Sequence, residues 1–146
     1  MDLARVILFY ILLTALALFA ARRGGREERI AANVCLLATI ATSLLLSPLS
    51  TRFAAIELGV ALIDVGVLAA FVAIALRSAR FWPLWVAGIQ LTTVMGHLLK
   101  AVQPKLIPMA YGTALVFWSY VILLIIAVAI LRTPAVRQLQ GEQPVR

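Results

Sequence analysis

The sequence predicts an all-α, polytopic transmembrane helix bundle of about five spans. Three observations carry that prediction. Hydrophobic residues make up 64% of the 146-residue chain and charged residues only 13%, against roughly a quarter charged in soluble domains. A water-soluble fold of this length has too much surface to cover with so few charges. The charges also gather into short clusters and leave between them apolar runs long enough to cross a bilayer.

Each run has its own punctuation. The first span covers 3–21 and is closed by Arg22-Arg23-Gly24-Gly25. The second covers 30–47 and ends at Pro48. The third covers 53–76, long enough to tilt. The fourth covers 83–101, where Pro83 suits a first helical turn that needs no N–H donor. The fifth covers 108–131, and 132–146 reads as a polar, flexible cytoplasmic tail containing Pro134 and Pro144. Residues 1–131 thus form one transmembrane domain, with connections too short to hold a soluble catalytic domain. Ala15-Leu16-Ala17 resembles a signal-peptide cleavage site. Asp2 beside Arg5 spoils the basic leader, however, and the arginines after the run resist export, so the first span is expected to remain as a helix.

The charges orient the bundle. Arg22, Arg23, Arg26, Arg29, Arg77, Arg80, Arg132, Arg137 and Arg146 fall on one side, and Arg5, Arg52, Lys100 and Lys105 on the other. Nine against four in short loops and ends is a positive-inside bias. It puts the N-terminus outside and the C-terminus in the cytoplasm, as in a bacterial inner membrane. Phe81, Trp82 and Trp85 then sit at the cytoplasmic interface, where amphipathic rings belong. The net charge of +7 is distributed over loop ends without aromatic interleaving, which points away from nucleic acid.

The polar residues within the spans carry the chemistry. Glu57 and Asp64 stand seven residues apart in the third span, and Gln90 and His97 seven apart in the fourth. That spacing is almost two helical turns, so each pair shares a face. Counting inward from the outer surface sets Glu57 level with His97, and Asp64 level with Gln90 near mid-membrane. Thr93 joins the Gln90 and His97 arc. A carboxyl at the bilayer centre costs ~2.5–3.5 kcal/mol on insertion scales. Asp64, Glu57 and His97 are therefore candidate proton-coupling residues, the imidazole having an ordinary pKa of about 6.5. Interhelical hydrogen bonding is the plainer role for Gln90, Thr93, Asn33, Thr39 and Ser43. Tyr120, on a face with Thr113 and Phe117, falls level with Asp64 and is expected to find its partner there or at Gln90.

Small residues line the opposite faces. Ala55, Gly59, Gly66 and Ala70 run along the third span, and Gly88, Thr92 and Gly96 along the fourth. Such stripes admit close helix approach. With acids on one face and small residues on the other, the third helix is expected at the centre of the bundle.

Several chemistries find no residues to carry them. The one histidine cannot supply two axial haem ligands, the glycine pair lacks the Lys-Ser/Thr of a phosphate loop, and no nucleophile elbow or metal-ligand cluster occurs. The lone Cys35 reads as a small hydrophobe, and the sequence identifies no cofactor. The expected partners are the lipid bilayer and either further copies of the chain or a larger membrane complex. The leading functional expectation is a non-catalytic accessory subunit of such a complex. The alternative is a small proton-coupled transporter or channel-like oligomer using Asp64, Glu57 and His97. A quinone or lipid head-group site near the outer surface, at Glu57 and His97, is a third.

The charge bias makes a topological prediction. A reporter that functions only in the cytoplasm should be active when fused after Arg146 and inactive when inserted between Lys100 and Lys105. Activity after Arg146 only in the outer compartment would overturn the five-span reading.

Overall fold

The structure, a computed structural model, describes the backbone of residues 3–45, 58–103 and 108–141, and the side chains of 6–45, 58–103 and 113–133. Every regular element among them is helical: α1 (Leu3–Arg23), α2 (Arg26–Leu45), α3 (Leu58–Arg77), α4 (Trp82–Val102) and α5 (Pro108–Gly141). Four stretches, Val6–Arg23, Arg26–Leu45, Leu58–Arg77 and Thr113–Thr133, are long and apolar enough to cross a membrane. The chain has the build of a membrane protein. α4 falls short of that average because of Gln90, Thr93, His97 and Lys100, all four of which are buried. Its outer surface, with Leu84, Trp85, Leu91, Met95, Leu98, Leu99 and Val102, is apolar apart from Thr92.

The neighbours run α1, α2, α3, α4, α5 and back to α1, with α2 and α5 also touching across the ring. The pair that closes the middle is therefore α2 with α5. The expectation of a central α3 is corrected: among the described residues α3 touches α2 and α4 alone. Its polar face is answered by α4, and its other face does not require a helix from the same chain.

Helix ends follow local chemistry. Gly24 and Gly25 break α1 from α2, with Gly24 donating its N–H to Ala20 O at 2.9 Å and Arg29 donating to Gly25 O at 3.2 Å. Gly25 thus occupies the cap of α2, which starts at Arg26, earlier than the apolar run at 30 implied. Glu27 and Glu28 lie in that first turn, where the helix dipole favours negative charge. α4 opens after Phe81 with Pro83 in its first turn, as its missing N–H allows. α5 continues to Gly141, past the expected end at 131 and through Pro134, so part of the expected tail is helical.

The apolar core sits toward the arginine-rich end. It is built from Leu13, Leu16 and Ala20 of α1, Ala31 and Ala32 of α2, Val67, Phe71 and Ile74 of α3, Val86 and Ala87 of α4, and Ile122, Leu123, Ile126 and Ile130 of α5. Spacings of three and four residues put each set on one helix face. Farther along α4 the same inward face turns polar: Pro83 and Val86 give way to Gln90, Thr93, His97 and Lys100.

A latch seals the core end. Glu28 is fully buried, and its Oε1 accepts from Arg80 Nη1 and lies 2.8 Å from the Thr133 hydroxyl. Arg80 Nη1 also donates to Thr133 Oγ1 at 3.1 Å. Beside it, Ser78 donates to Glu27 Oε2 at 2.7 Å and accepts from the Arg80 backbone N–H at 3.0 Å. The start of α2, the α3–α4 link and the far part of α5 are thereby tied at one level. Glu28 Oε2 lies over Gly25, where an added Cβ would stand 2.7 Å from it, so a larger residue there would push the carboxylate aside.

Removing one member of a buried ion pair leaves the other uncompensated, typically at ~3–5 kcal/mol. Arg80 keeps 30% side-chain exposure, so Glu28→Ala should destabilise by about 3 kcal/mol, the low end. Thr133→Val should cost about 2 kcal/mol, since it removes hydrogen bonds to two charged partners, Glu28 and Arg80. Thermal unfolding in detergent measures both, and an unchanged midpoint for Glu28→Ala would mean the latch does not hold the ends.

Candidate functional site

The short α3–α4 link sets these helices side by side and antiparallel, and Asp64 is the residue through which their polar faces meet. Gln90 Nε2 donates to Asp64 Oδ1 at 3.0 Å and to the Asp64 backbone oxygen at 3.2 Å. His97 Nε2 lies 2.8 Å from Asp64 Oδ2. Gln90 and His97 are two turns apart, about 10 Å along the axis, and they reach one carboxylate from opposite directions. Asp64 is therefore gripped by both oxygens. Its side chain keeps 23% exposure, against 7% for His97.

Gln90 meets Asp64 as its level implied. His97, expected level with Glu57, also meets Asp64. Glu57 and Ala55 lie outside the described residues. Asp64 thus serves both α4 residues, with Gln90 on one carboxylate oxygen and His97 on the other. Thr93 is buried on the same seam, its hydroxyl 3.5 Å from Ile89 O. Tyr120 is placed toward α1, its ring edge-on to Phe9 with centroids 5.3 Å apart.

The small residues divide into two groups. Gly59 lies where α2 approaches, an added Cβ standing 3.1 Å from Leu45 Cδ1. Ala70 and Gly96 are half-buried. Gly66 and Gly88 face outward, and a Cβ at either would meet nothing within 4 Å. Thr92 is exposed too, and satisfies its hydroxyl by donating to Ile89 O at 2.6 Å. Among the described residues, Gly66 and Gly88 thus have open space at the Cβ position and Thr92 is exposed.

Two features escaped the sequence reading. Lys100, counted as an outer-side charge, is only 2% exposed and ends the buried polar seam of α4. Its position three residues beyond His97 on the same arc was the available signal. The Glu28 latch had one too: an acid at the third position after a capping glycine, the spacing of a capping box.

Chemically, the trio can hold a proton between Asp64 Oδ2 and His97 Nε2, while Gln90 fixes the carboxylate by its other oxygen. It can equally act as an interhelical clamp. No group of three or more His, Cys, Asp or Glu side chains among the described residues is arranged to hold a metal ion. The fold and site together define a helix bundle with four candidate membrane spans and a polar α3–α4 seam. Compared with family models, curated proteins and solved structures, the chain matches none.

Gln90 and His97 share Asp64, so their substitutions should not add. Gln90→Leu and His97→Phe should each cost about 1 kcal/mol, within the range for membrane interhelical bonds. The double variant should deviate from the sum by at least ~0.5 kcal/mol. Strict additivity in a double-mutant cycle of unfolding free energies would show that the two do not act on one carboxylate.

Proposed function

We propose that this chain is an integral protein of a bacterial inner membrane, with five spans, an outer N-terminus and a cytoplasmic C-terminus, serving as a non-catalytic subunit of a larger membrane assembly. The observation that supports this reading is the division of labour between the faces of α3 and α4. Their polar groups Asp64, Gln90 and His97 answer one another inside the chain, while Gly66 and Gly88 face outward with open space around them. In a helix interior glycine costs roughly 0.5–1 kcal/mol relative to alanine. A glycine with no neighbour has no packing reason within its own chain. It gains one if another helix lies against it, since small residues permit close backbone approach.

On this reading α4 also spans, as the fourth of five, because its four polar residues Gln90, Thr93, His97 and Lys100 are buried away from lipid. The Asp64 trio then fixes the α3–α4 register and so the shape of the docking face.

A second reading is favoured by a separate observation, the 2.8 Å contact between Asp64 and His97. Histidine is the side chain whose charge changes nearest neutral pH, and membrane carboxylate–histidine pairs are a common means of relaying protons. The protein would then be proton-coupled, with Asp64 as the essential acceptor.

One set of variants separates the two. For a subunit role, Gly66→Leu and Gly88→Leu should abolish recovery of partner chains in mild detergent, and Asp64→Asn should preserve it. For proton coupling, wild-type vesicles should show proton flux that Asp64→Asn eliminates. Flux absent from the wild type, together with partner loss only in the glycine variants, supports the subunit role. Flux present in the wild type and lost in Asp64→Asn, with partner recovery indifferent to the leucines, overturns it.

A further inference from the structure

We propose that the arginine-rich end of the bundle is a binding surface for the phosphate of anionic phospholipids. The six acids of the chain do not neutralise this end evenly. The two that lie there in the described structure are drawn inward: Glu28 is buried under Arg80 and Thr133, and Glu27 accepts from Ser78. The latch already described keeps the ends of four helices level, because it joins the start of α2 to the α3–α4 link and to α5, and α1 enters through Gly24-Gly25. Around it stand Arg22, Arg23, Arg26, Arg29, Arg77 and Arg132, all exposed. The result is a rim of exposed guanidinium groups beside one fully buried carboxylate, Glu28, and one half-buried carboxylate, Glu27, bonded to Ser78.

Guanidinium is suited to phosphate, since its planar fork can donate two parallel hydrogen bonds to one oxyanion. The neighbouring surface decides which phosphate. Next to Arg77 and Arg80, Leu76 is 82% exposed, Phe81 79% and Trp85 68%. An aromatic and aliphatic margin directly beside the cations suits an amphipathic ligand whose phosphate meets arginine and whose upper acyl chain lies along α4. A free inorganic ion has no use for that margin. A lipid with a net negative head group uses both, and basic pockets at the cytoplasmic ends of membrane helices recognise such lipids by the same chemistry.

The test uses the full chain purified in a zwitterionic detergent and titrated with short-chain phosphatidylglycerol, short-chain phosphatidylcholine or inorganic phosphate. The readouts are the unfolding midpoint and lipid adducts retained in native mass spectrometry. Phosphatidylglycerol should raise the midpoint and remain bound, with the effect weakened by 0.5 M salt, where the Debye screening length is ~4 Å. Each exposed arginine exchanged for glutamine, beginning with Arg77→Gln and Arg132→Gln, should weaken the apparent affinity about fivefold. Arg77→Lys and Arg132→Lys should restore part of it, by keeping charge without the fork. An equal shift with phosphatidylcholine would mean that only acyl chains are bound, and an equal shift with inorganic phosphate would mean a simple ion site. Either result overturns the proposal, as does full phosphatidylglycerol binding by the glutamine variants. If a glutamine variant does not fold, the lipid comparison and salt arm on the unaltered chain decide the matter.

Discussion

Polar groups in a hydrocarbon medium have no water to turn to, and this bundle is arranged around where it sends them. Asp64 is the governing case. An unpartnered carboxyl at that depth is costly, so α3 must lie against a helix that offers donors at its level. α4 offers two, Gln90 and His97, on the face that also carries Thr93 and Lys100. From that pairing follow the register of the α3–α4 hairpin, the burial of the α4 seam and the apolar outer surface of α4. The placement of α3 at the rim follows as well, because a helix satisfied by one partner needs no central position.

The two ends of the bundle solve the same problem by different means. At the arginine-rich end, leucine, isoleucine, valine and alanine interdigitate, and one buried acid, Glu28, is held by Arg80 and Thr133. The latch is compact because Gly25 leaves the space its carboxylate occupies, and because the α2 N-terminus offers favourable potential to negative charge. Toward the other end, side-chain hydrogen bonding replaces apolar packing along α4. Hydroxyls elsewhere differ: Thr39 and Ser119 donate only to the carbonyl four residues earlier, at 2.8 and 3.1 Å, whereas Ser43 donates to Thr39 O at 2.7 Å and also meets the Tyr10 hydroxyl of α1, the interhelical role expected of it. A polar residue in these helices therefore does not by itself report an interhelical contact.

This distinction explains what could be read from the sequence. Helix number and approximate bounds followed from apolar runs and their glycine, proline and arginine punctuation, since each obeys a local rule. The meeting of Asp64 with Gln90 was legible because matched spacing on adjacent helices is a local pattern too. The partner of His97 was not, because one carboxylate, Asp64, serves both α4 residues, with Gln90 on one oxygen and His97 on the other. Gly59 and Gly66 look identical in sequence, yet among the described residues a Cβ at one would meet Leu45 and at the other would meet nothing. Only tertiary placement separates them. Glu28 and Lys100 were hidden for a shared reason: charges near span ends read as loop charges, and burial there depends on what the other loops supply.

The polar seam of α4 has a consequence for how the protein enters the membrane. A segment carrying Gln90, Thr93, His97 and Lys100 is a poor passenger through a lateral gate by itself, while α3 before it is strongly apolar except for Asp64. The least costly order brings α3 and α4 across together as a hairpin, each masking the other's polar residues before lipid closes around them. Biogenesis of the second half of the chain is then a matter of timing. If both helices span, the short link at 78–81 lets α4 follow α3 closely enough for the two to enter as one hairpin.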